Sequence, residues 1–279
     1  MPICFGGGRY RAAIILCALL ASAWLSPRHS RAASDIAQAP KPMMAICTAV
    51  PYIGKMPRLE ATMRRLQTNA PIRILAIGSS STEGFGASSA TRTYPAQLKG
   101  DLEKRWPKVQ FSVLNAGIGG ETVAGTLDRL EKLLSSQKFD LVIWQLGTND
   151  AVKGDDPNKF RDLTLRGIAA ARAAGDDLIL LDPQYYPGIR DLAEYERFVT
   201  AISELGEQER VPVFRRYAMM KRLGEEGEAN LLAYLAADRF HMNDEGYGCL
   251  ARALTAEIGR MTQAQTVASV QSPVDGVAK

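Results

Sequence analysis

Histidine is scarce in this sequence, since His29 and His241 are the only two among 279 residues. The four cysteines form no cluster with these histidines at the spacing of a zinc site. This scarcity argues against a zinc centre. It also means that any chemistry that needs an imidazole must use one of two residues.

Residues 33–279 carry no net charge. The first 32 residues contain four arginines and no acidic residue, whereas the rest contains 30 basic and 30 acidic residues. The formal charge of +4 therefore belongs to the amino-terminal segment. A neutral body offers no electrostatic footprint for a polyanion, so the sequence argues against a nucleic-acid partner.

No hydrophobic run is long enough for an easy membrane span. The apolar stretch at residues 12–25 has 14 residues, whereas a spanning helix needs about 20. Two arginines precede it and Ser30-Arg31-Ala32 follows it, which is typical of a cleavable secretory signal. We therefore predict a signal peptide at residues 1–32, a linker at 33–43, and a secreted or periplasmic protein with no stable membrane insertion after cleavage. The alternative is an uncleaved anchor helix.

Export would leave two of the four cysteines, Cys47 and Cys249. An oxidising compartment permits these two residues to pair in a disulfide. Two independent buried thiols are the other interpretation, because free cysteine is commonly buried as a small apolar residue. The sequence leaves both open. With export, His241 would also be the only histidine that remains.

Apolar strands alternate with amphipathic helices along the chain. The predicted strands are residues 72–77, 109–114, 141–146, 178–181 and 211–214. The predicted helices are residues 57–66, 94–106, 123–134, 158–174, 191–209, 217–235 and 244–261. Strands that are apolar throughout indicate a parallel sheet covered on both faces. We therefore predict an α/β fold, a three-layer α/β/α sandwich with a parallel, flavodoxin-like five-stranded sheet. It forms one domain at residues 44–262, followed by a flexible tail at 263–279.

Four polar segments stand where such a fold would carry chemistry, since ligands bind outside the carboxyl ends of parallel strands. Singly, each segment has an ordinary explanation as a turn, a helix cap or a surface ion pair. The lysine of a phosphate-binding P-loop and the GxGxxG fingerprint of a dinucleotide site are both missing from the first segment. The segments are GSSSTEG at 78–84, NAGIGGET at 115–122, GTND at 147–150 and DRFH at 238–241.

Taken in order, the four segments resemble the four sequence blocks of the SGNH (GDSL-like) hydrolase family. The family patterns G-D-S-x-T-x-G, N-A-G-x-x-G-x-T, G-x-N-D and D-x-x-H fall on them in turn. The resemblance extends over about residues 72–261. One position departs from it, because Ser79 stands where the family has Asp, which leaves three consecutive serines.

The resemblance implies a serine esterase with Ser80 as nucleophile, His241 as general base and Asp238 as the carboxylate that orients the imidazole. It implies an oxyanion hole made by the Ser80 amide, the Gly120 amide and the Asn149 side chain. It implies no metal and no organic cofactor. The chemistry is coherent, because a serine hydroxyl needs a base within hydrogen-bond reach to become a good nucleophile.

The resemblance further implies hydrolysis of carboxylic esters through an acyl-serine intermediate. The expected partner is a small-molecule or polysaccharide ester, and export favours acyl or O-acetyl esters of envelope or extracellular carbohydrate or lipid. Two alternatives remain open. One is an acyltransferase that uses the same triad, and the other is a catalytically inactive carbohydrate-binding protein.

Aromatic residues near this edge have two interpretations. Tyr185 and Tyr186 follow the fourth predicted strand, where they would either line a substrate pocket or simply pack in a rigid loop. Trp144 lies inside the third predicted strand, and we expect it in the core.

Overall fold

The structure, a computed structural model, describes residue 47, residues 52–54 and residues 57–263. The predicted signal peptide and linker lie outside these residues, as do residues 264–279 of the predicted tail. Within the part of the chain that is described, none of the helices combines the length and the hydropathy that a membrane span requires.

Five parallel strands form a single sheet. Their order is β2-β1-β3-β4-β5, and each pairs with its neighbours in parallel. This order confirms the predicted flavodoxin-like sheet, and it changes direction between β1 and β3, where open α/β sheets bind ligands. The strands are β1 (Ile72–Gly78), β2 (Phe111–Gly117), β3 (Leu141–Gln145), β4 (Asp177–Leu181) and β5 (Val213–Phe214).

The second strand differs from its prediction at both ends. Val109 belongs to a turn that precedes the strand, since its amide donates to the Trp106 carbonyl at 3.0 Å. At the other end, pairing with β1 continues to the Gly78–Gly117 pair. The polar sequence after Leu114 gave no sign of this extension, because β2 is an edge strand whose side chains there are partly exposed.

Helices cover both faces of the sheet and give the predicted three layers. One apolar core joins β1 to α3, α8 and α10, and a second core joins the opposite face to α4, α6 and α7. Alternate residues of β1 serve the two cores, as the twofold repeat of a strand requires. The helices are α1 (Glu60–Thr68), α2 (Ser80–Glu83), α3 (Tyr94–Arg105), α4 (Val123–Ser136), α5 (Thr148–Lys153), α6 (Pro157–Ala174), α7 (Leu192–Glu209), α8 (Arg216–Glu225), α9 (Glu228–Leu232) and α10 (Asp244–Met261).

The structure answers two questions about buried residues, the location of Trp144 and the pairing of the cysteines. Trp144 is fully buried in the second core, as predicted, and its indole N–H donates to the Thr126 hydroxyl at 3.1 Å. Cys47 and Cys249 form a disulfide, with their Cα atoms 5.1 Å apart. The bond ties the start of the described chain to α10. Of the two interpretations of these cysteines, the structure therefore has the paired one.

Candidate active site

The three consecutive serines follow β1 directly, and each contacts a different partner. The Ser80 hydroxyl lies 2.9 Å from Nε2 of His241. The Ser79 hydroxyl donates to the buried amide oxygen of Gln145 at 3.1 Å, and the Ser81 hydroxyl donates to that of Gln184 at 2.7 Å. Of the three, Ser80 is therefore the one that the turn presents to the imidazole.

Asp238 and His241 meet in a tight turn before α10. Oδ2 of Asp238 lies 2.6 Å from Nδ1 of His241, while Oδ1 accepts the backbone N–H groups of Phe240 and His241, each at 3.0 Å. Arg239 between them has a φ of +55°, the left-handed conformation that closes the turn. An ionised carboxylate can only accept hydrogen bonds, so Nδ1 carries the proton and the Nε2 lone pair faces the Ser80 hydroxyl.

The electrostatics of this turn favour an ionised Asp238. Partial burial by itself would raise the pKa of the carboxyl group. The hydrogen bonds from the imidazole and from two backbone N–H groups outweigh it, and they hold the pKa of Asp238 below its ordinary value. Asp238 is therefore a carboxylate at neutral pH and can stabilise a protonated imidazole.

The imidazole is enclosed by two aromatic rings. The Phe85 ring centroid lies 4.4 Å from that of His241, and the Phe240 ring meets His241 edge-on at 4.5 Å. Phe85 is itself 58% exposed, which is unusual for a large apolar side chain. Sequence reasoning did not single out Phe85, although an aromatic residue immediately after the last glycine of the first segment was an available signal.

One of the predicted oxyanion donors, Gly120, belongs to a glycine loop that reaches Ser80. A Cβ placed on Gly119 would be 3.9 Å from Cβ of Ser80, so this loop runs beside that serine. Gly120 has a φ of +77°, which a residue with a side chain rarely adopts. Among residues 57–263, the backbone N–H groups of Ser80 and Gly120 donate to no backbone carbonyl. One Asn149 amide proton goes to the Glu121 carbonyl at 2.8 Å, which leaves the second available.

Two residues that sequence reasoning missed hold these loops in place. The Arg129 guanidinium pairs with Glu121 and donates to the carbonyl oxygens of Ala116 at 2.5 Å and Gly78 at 3.2 Å. It thus ties the first polar segment to the second. Its position inside a predicted helix gave no signal of that contact.

Asp150 is the second, because the third family pattern includes it but the sequence assigned it no role. Its two oxygens accept the N–H groups of Val123 at 2.8 Å and Gly147 at 3.2 Å, so it fixes the start of α4 against the turn that carries Asn149. Burial raises the pKa of Asp150 to about 6. The buried carboxyl group is therefore a structural link between the second and third segments.

A groove of about 880 Å³ adjoins the turn that carries His241. Val152, Tyr186, Asp238 and Phe240 are among its lining residues. Tyr186 meets Phe240 edge-on at 4.6 Å, so aromatic rings line the way from the groove to the imidazole. Tyr185 points elsewhere and packs edge-on against Tyr217 at 5.6 Å. Of the two interpretations, pocket lining therefore applies to Tyr186 and packing in the loop applies to Tyr185.

Among the described residues, no group of three or more His, Cys, Asp or Glu side chains is arranged to hold a metal ion. The groups gathered at this edge include a hydroxyl, an imidazole and a carboxylate in hydrogen-bond contact, which is the set that acyl transfer through serine uses.

The proteins that this chain resembles are esterases and lipases, in agreement with this set of groups. The model of the non-GDSL lipase-like family matches residues 46–264. Esterase TesA of Pseudomonas aeruginosa is 32% identical over 133 residues, which cover 47% of this chain and 61% of that protein. Acetylxylan esterase of Geobacillus stearothermophilus is 30% identical over 211 residues, which cover 67% of this chain and 94% of that protein.

A solved structure extends the similarity to three dimensions. The crystal structure of the lipase/acylhydrolase from Enterococcus faecalis superposes with a TM-score of 0.57 at 26% identity, covering 68% of this chain and 96% of that one. The family model covers most of the chain, including all four polar segments. The chain therefore belongs to the non-GDSL lipase-like family and is an ester-hydrolysing enzyme.

Proposed function

We propose that the protein is a serine carboxylic-ester hydrolase in which Ser80, His241 and Asp238 form the catalytic triad. The observation that carries the proposal is the continuous line of hydrogen bonds from Ser80 Oγ through both imidazole nitrogens to the Asp238 carboxylate. A simple surface ion pair would explain the Asp238–His241 contact. It would not explain why the second nitrogen meets one particular serine at the sheet's switch point.

The first half of the reaction forms an acyl-enzyme. Ser80 Oγ attacks the ester carbonyl carbon while His241 Nε2 takes the hydroxyl proton. The imidazolium that results is stabilised by Asp238. When the tetrahedral intermediate collapses, the carbon–oxygen bond to the alcohol breaks, and His241 returns the proton to the departing alcohol oxygen.

The second half of the reaction releases the acid. A water molecule takes the place of the alcohol, and His241 removes its proton as the water attacks the acyl carbon. Collapse breaks the bond to Ser80 Oγ, and the proton passes to that oxygen. In both halves the Ser80 and Gly120 amides and the free Asn149 amide proton donate to the oxyanion, where each donor typically contributes about 3–4 kcal/mol.

The substrates that we propose are acyl or O-acetyl esters of carbohydrate or lipid. The groove that reaches Asp238 and Phe240 supports this class, because its volume of about 880 Å³ accommodates a group much larger than an acetyl unit. The relative of which this chain matches 94% is named an acetylxylan esterase, which favours an esterified polysaccharide. Acyl transfer to a sugar hydroxyl would use the same steps with the sugar in place of water.

We propose that the enzyme works outside the cytoplasm. The signal pattern at residues 1–32 supports export, and the disulfide between Cys47 and Cys249 suits an oxidising compartment. Amino-terminal sequencing of material recovered from outside the cytoplasm should begin near Ala33. A chain that begins at Met1 in that fraction would contradict this assignment.

Covalent trapping tests the proposed mechanism. Diethyl p-nitrophenyl phosphate should phosphorylate the Ser80 hydroxyl in the wild-type chain, which peptide mass spectrometry would locate, and the Ser80→Ala variant should stay unlabelled. Label on another residue, or no label together with no ester hydrolysis, would contradict the mechanism; the second outcome would leave an inactive carbohydrate-binding protein. Rates on p-nitrophenyl esters of increasing chain length, with and without added sugar alcohols, then separate acetyl esterase, long-chain esterase and transferase.

A further inference from the structure

A buried amide lies directly beneath the turn that carries Ser80. Gln145, the last residue of β3, is 1% exposed. Its side-chain oxygen accepts the backbone N–H of Ser79 at 2.9 Å, the Ser79 hydroxyl at 3.1 Å and the Thr82 hydroxyl at 3.3 Å. A backbone N–H can only donate, so the atom in contact is the amide oxygen and not the nitrogen. One oxygen thus holds three donors of the same turn.

The amide oxygen is packed tightly enough to shape the backbone next to it. A Cβ added to Gly78 would lie 2.7 Å from the Gln145 oxygen and 2.5 Å from the Thr82 hydroxyl. Glycine at this position therefore allows the strand end to approach the amide. The contacts also precede and follow Ser80 in the chain, so they fix the turn on both sides of the nucleophile.

The position that departs from the family pattern takes part in this contact. Ser79 occupies the place of the usual Asp, and it presents two donors to the Gln145 oxygen. A carboxylate in the same place could only accept, so it would meet the Gln145 oxygen with repulsion unless the amide turned over. Ser79 and Gln145 are therefore matched to each other as donor and acceptor.

We infer that Gln145 is a positioning residue for Ser80, which rests on the proposed role of Ser80 as nucleophile. By holding Ser79 and Thr82, the amide oxygen fixes the orientation of the turn relative to β3. That orientation directs the Ser80 hydroxyl toward His241 and the Ser80 N–H toward the oxyanion. A displacement of about 1 Å at such a site can lower the rate about 100-fold without any loss of a reacting group.

The test compares two substitutions that differ in hydrogen bonding and little in size. Gln145→Met keeps the volume but removes the acceptor, whereas Gln145→Glu keeps an acceptor oxygen. We expect Gln145→Met to lower kcat about 10- to 100-fold with KM within about threefold. Gln145→Glu should stay within about fivefold of wild type, since the acceptor is what the turn requires. Gln137→Met, the same change at an exposed residue at the other end of the sheet, is the matched control.

A milder variant keeps the test decisive if Gln145→Met folds poorly. Ser79→Ala removes one of the three donors and should lower kcat about three- to tenfold, with an unchanged circular dichroism spectrum. The inference is overturned if Gln145→Met retains kcat within about twofold, if Gln145→Glu is impaired equally, or if Ser79→Ala has no effect on kcat. Activity of Ser80→Ala decides the proposed function separately, because that variant leaves Gln145 and its contacts in place.

Discussion

The Nε2 atom of His241 lies 2.9 Å from the Oγ atom of Ser80, although 161 residues separate them in sequence. The contact forms because β1 ends at Gly78 and the turn before α10 returns to the same edge of the sheet. The third member, Asp238, comes from that same turn. The arrangement makes specific demands on single residues, and each can be tested by substitution.

The choice among the three serines has a clear expected outcome. Ser80→Ala should lower kcat by several orders of magnitude, about as much as His241→Ala, since members of a triad act as a unit. Ser81→Ala should have a modest effect, because it loses only the hydrogen bond to Gln184 inside the protein. Steady-state rates on a p-nitrophenyl ester measure all of these variants. A Ser80→Ala enzyme with near-normal activity would show that the nucleophile has been misassigned.

Asn149 should affect the transition state and not substrate binding. Asn149→Ala removes a donor that strengthens only when the oxyanion forms, so kcat should fall about 100- to 1,000-fold while KM changes little. Asn158→Ala, an exposed asparagine at the start of α6, is a suitable control. A variant in which KM alone rises would mean that Asn149 binds the ground state of the substrate.

The disulfide should contribute to stability through the unfolded chain. Cys47 and Cys249 are 202 residues apart, and a closed loop of that length can stabilise the folded state by up to about 5 kcal/mol in the chain-entropy model. The double variant Cys47→Ala, Cys249→Ala should therefore unfold at a lower temperature. Thiol titration of the denatured, non-reduced chain that begins at residue 33 should find no free thiol, and a count of two would contradict the pairing.

Buried Asp182 should make stability depend on pH. Burial raises the pKa of Asp182 to about 7, against the opposing effect of the Tyr217 N–H and the Arg216 charge. Because an unfolded Asp titrates near 3.9, the folded state binds more protons between about pH 4 and pH 7, and the contribution of this group to stability falls as pH rises through that range.

Asp182→Asn tests this sign, because the amide keeps an acceptor for Tyr217 and cannot ionise. The melting temperature of the variant minus that of wild type should become more positive from about pH 4.5 to about pH 7.5. Thermal unfolding at several pH values measures the difference. If the difference stays constant, or becomes more negative with rising pH, ionisation of Asp182 does not destabilise the folded protein.

The sequence by itself determined the architecture and, through the family resemblance of its four polar segments, singled out Ser80, Asp238 and His241. β1, β3 and β4 are apolar runs that both cores bury, so their ends could be predicted to within one residue. The polar segments at the carboxyl ends of β1, β2 and β3 stand out because a simple connector needs neither their glycines nor their Asn and Ser residues. Parallel strands then bring those segments to a single edge, whatever the details of packing.

Only the tertiary structure decided how these residues contact one another. Apart from the family resemblance, the sequence offers Ser79, Ser80 and Ser81 as equivalent hydroxyl groups. They differ in their contacts because the turn aims them at Gln145, His241 and Gln184. The pairing of the cysteines and the separate directions of Tyr185 and Tyr186 are of the same kind. Each depends on a partner from a distant part of the chain, and local periodicity carries no information about which distant side chain will face a given atom.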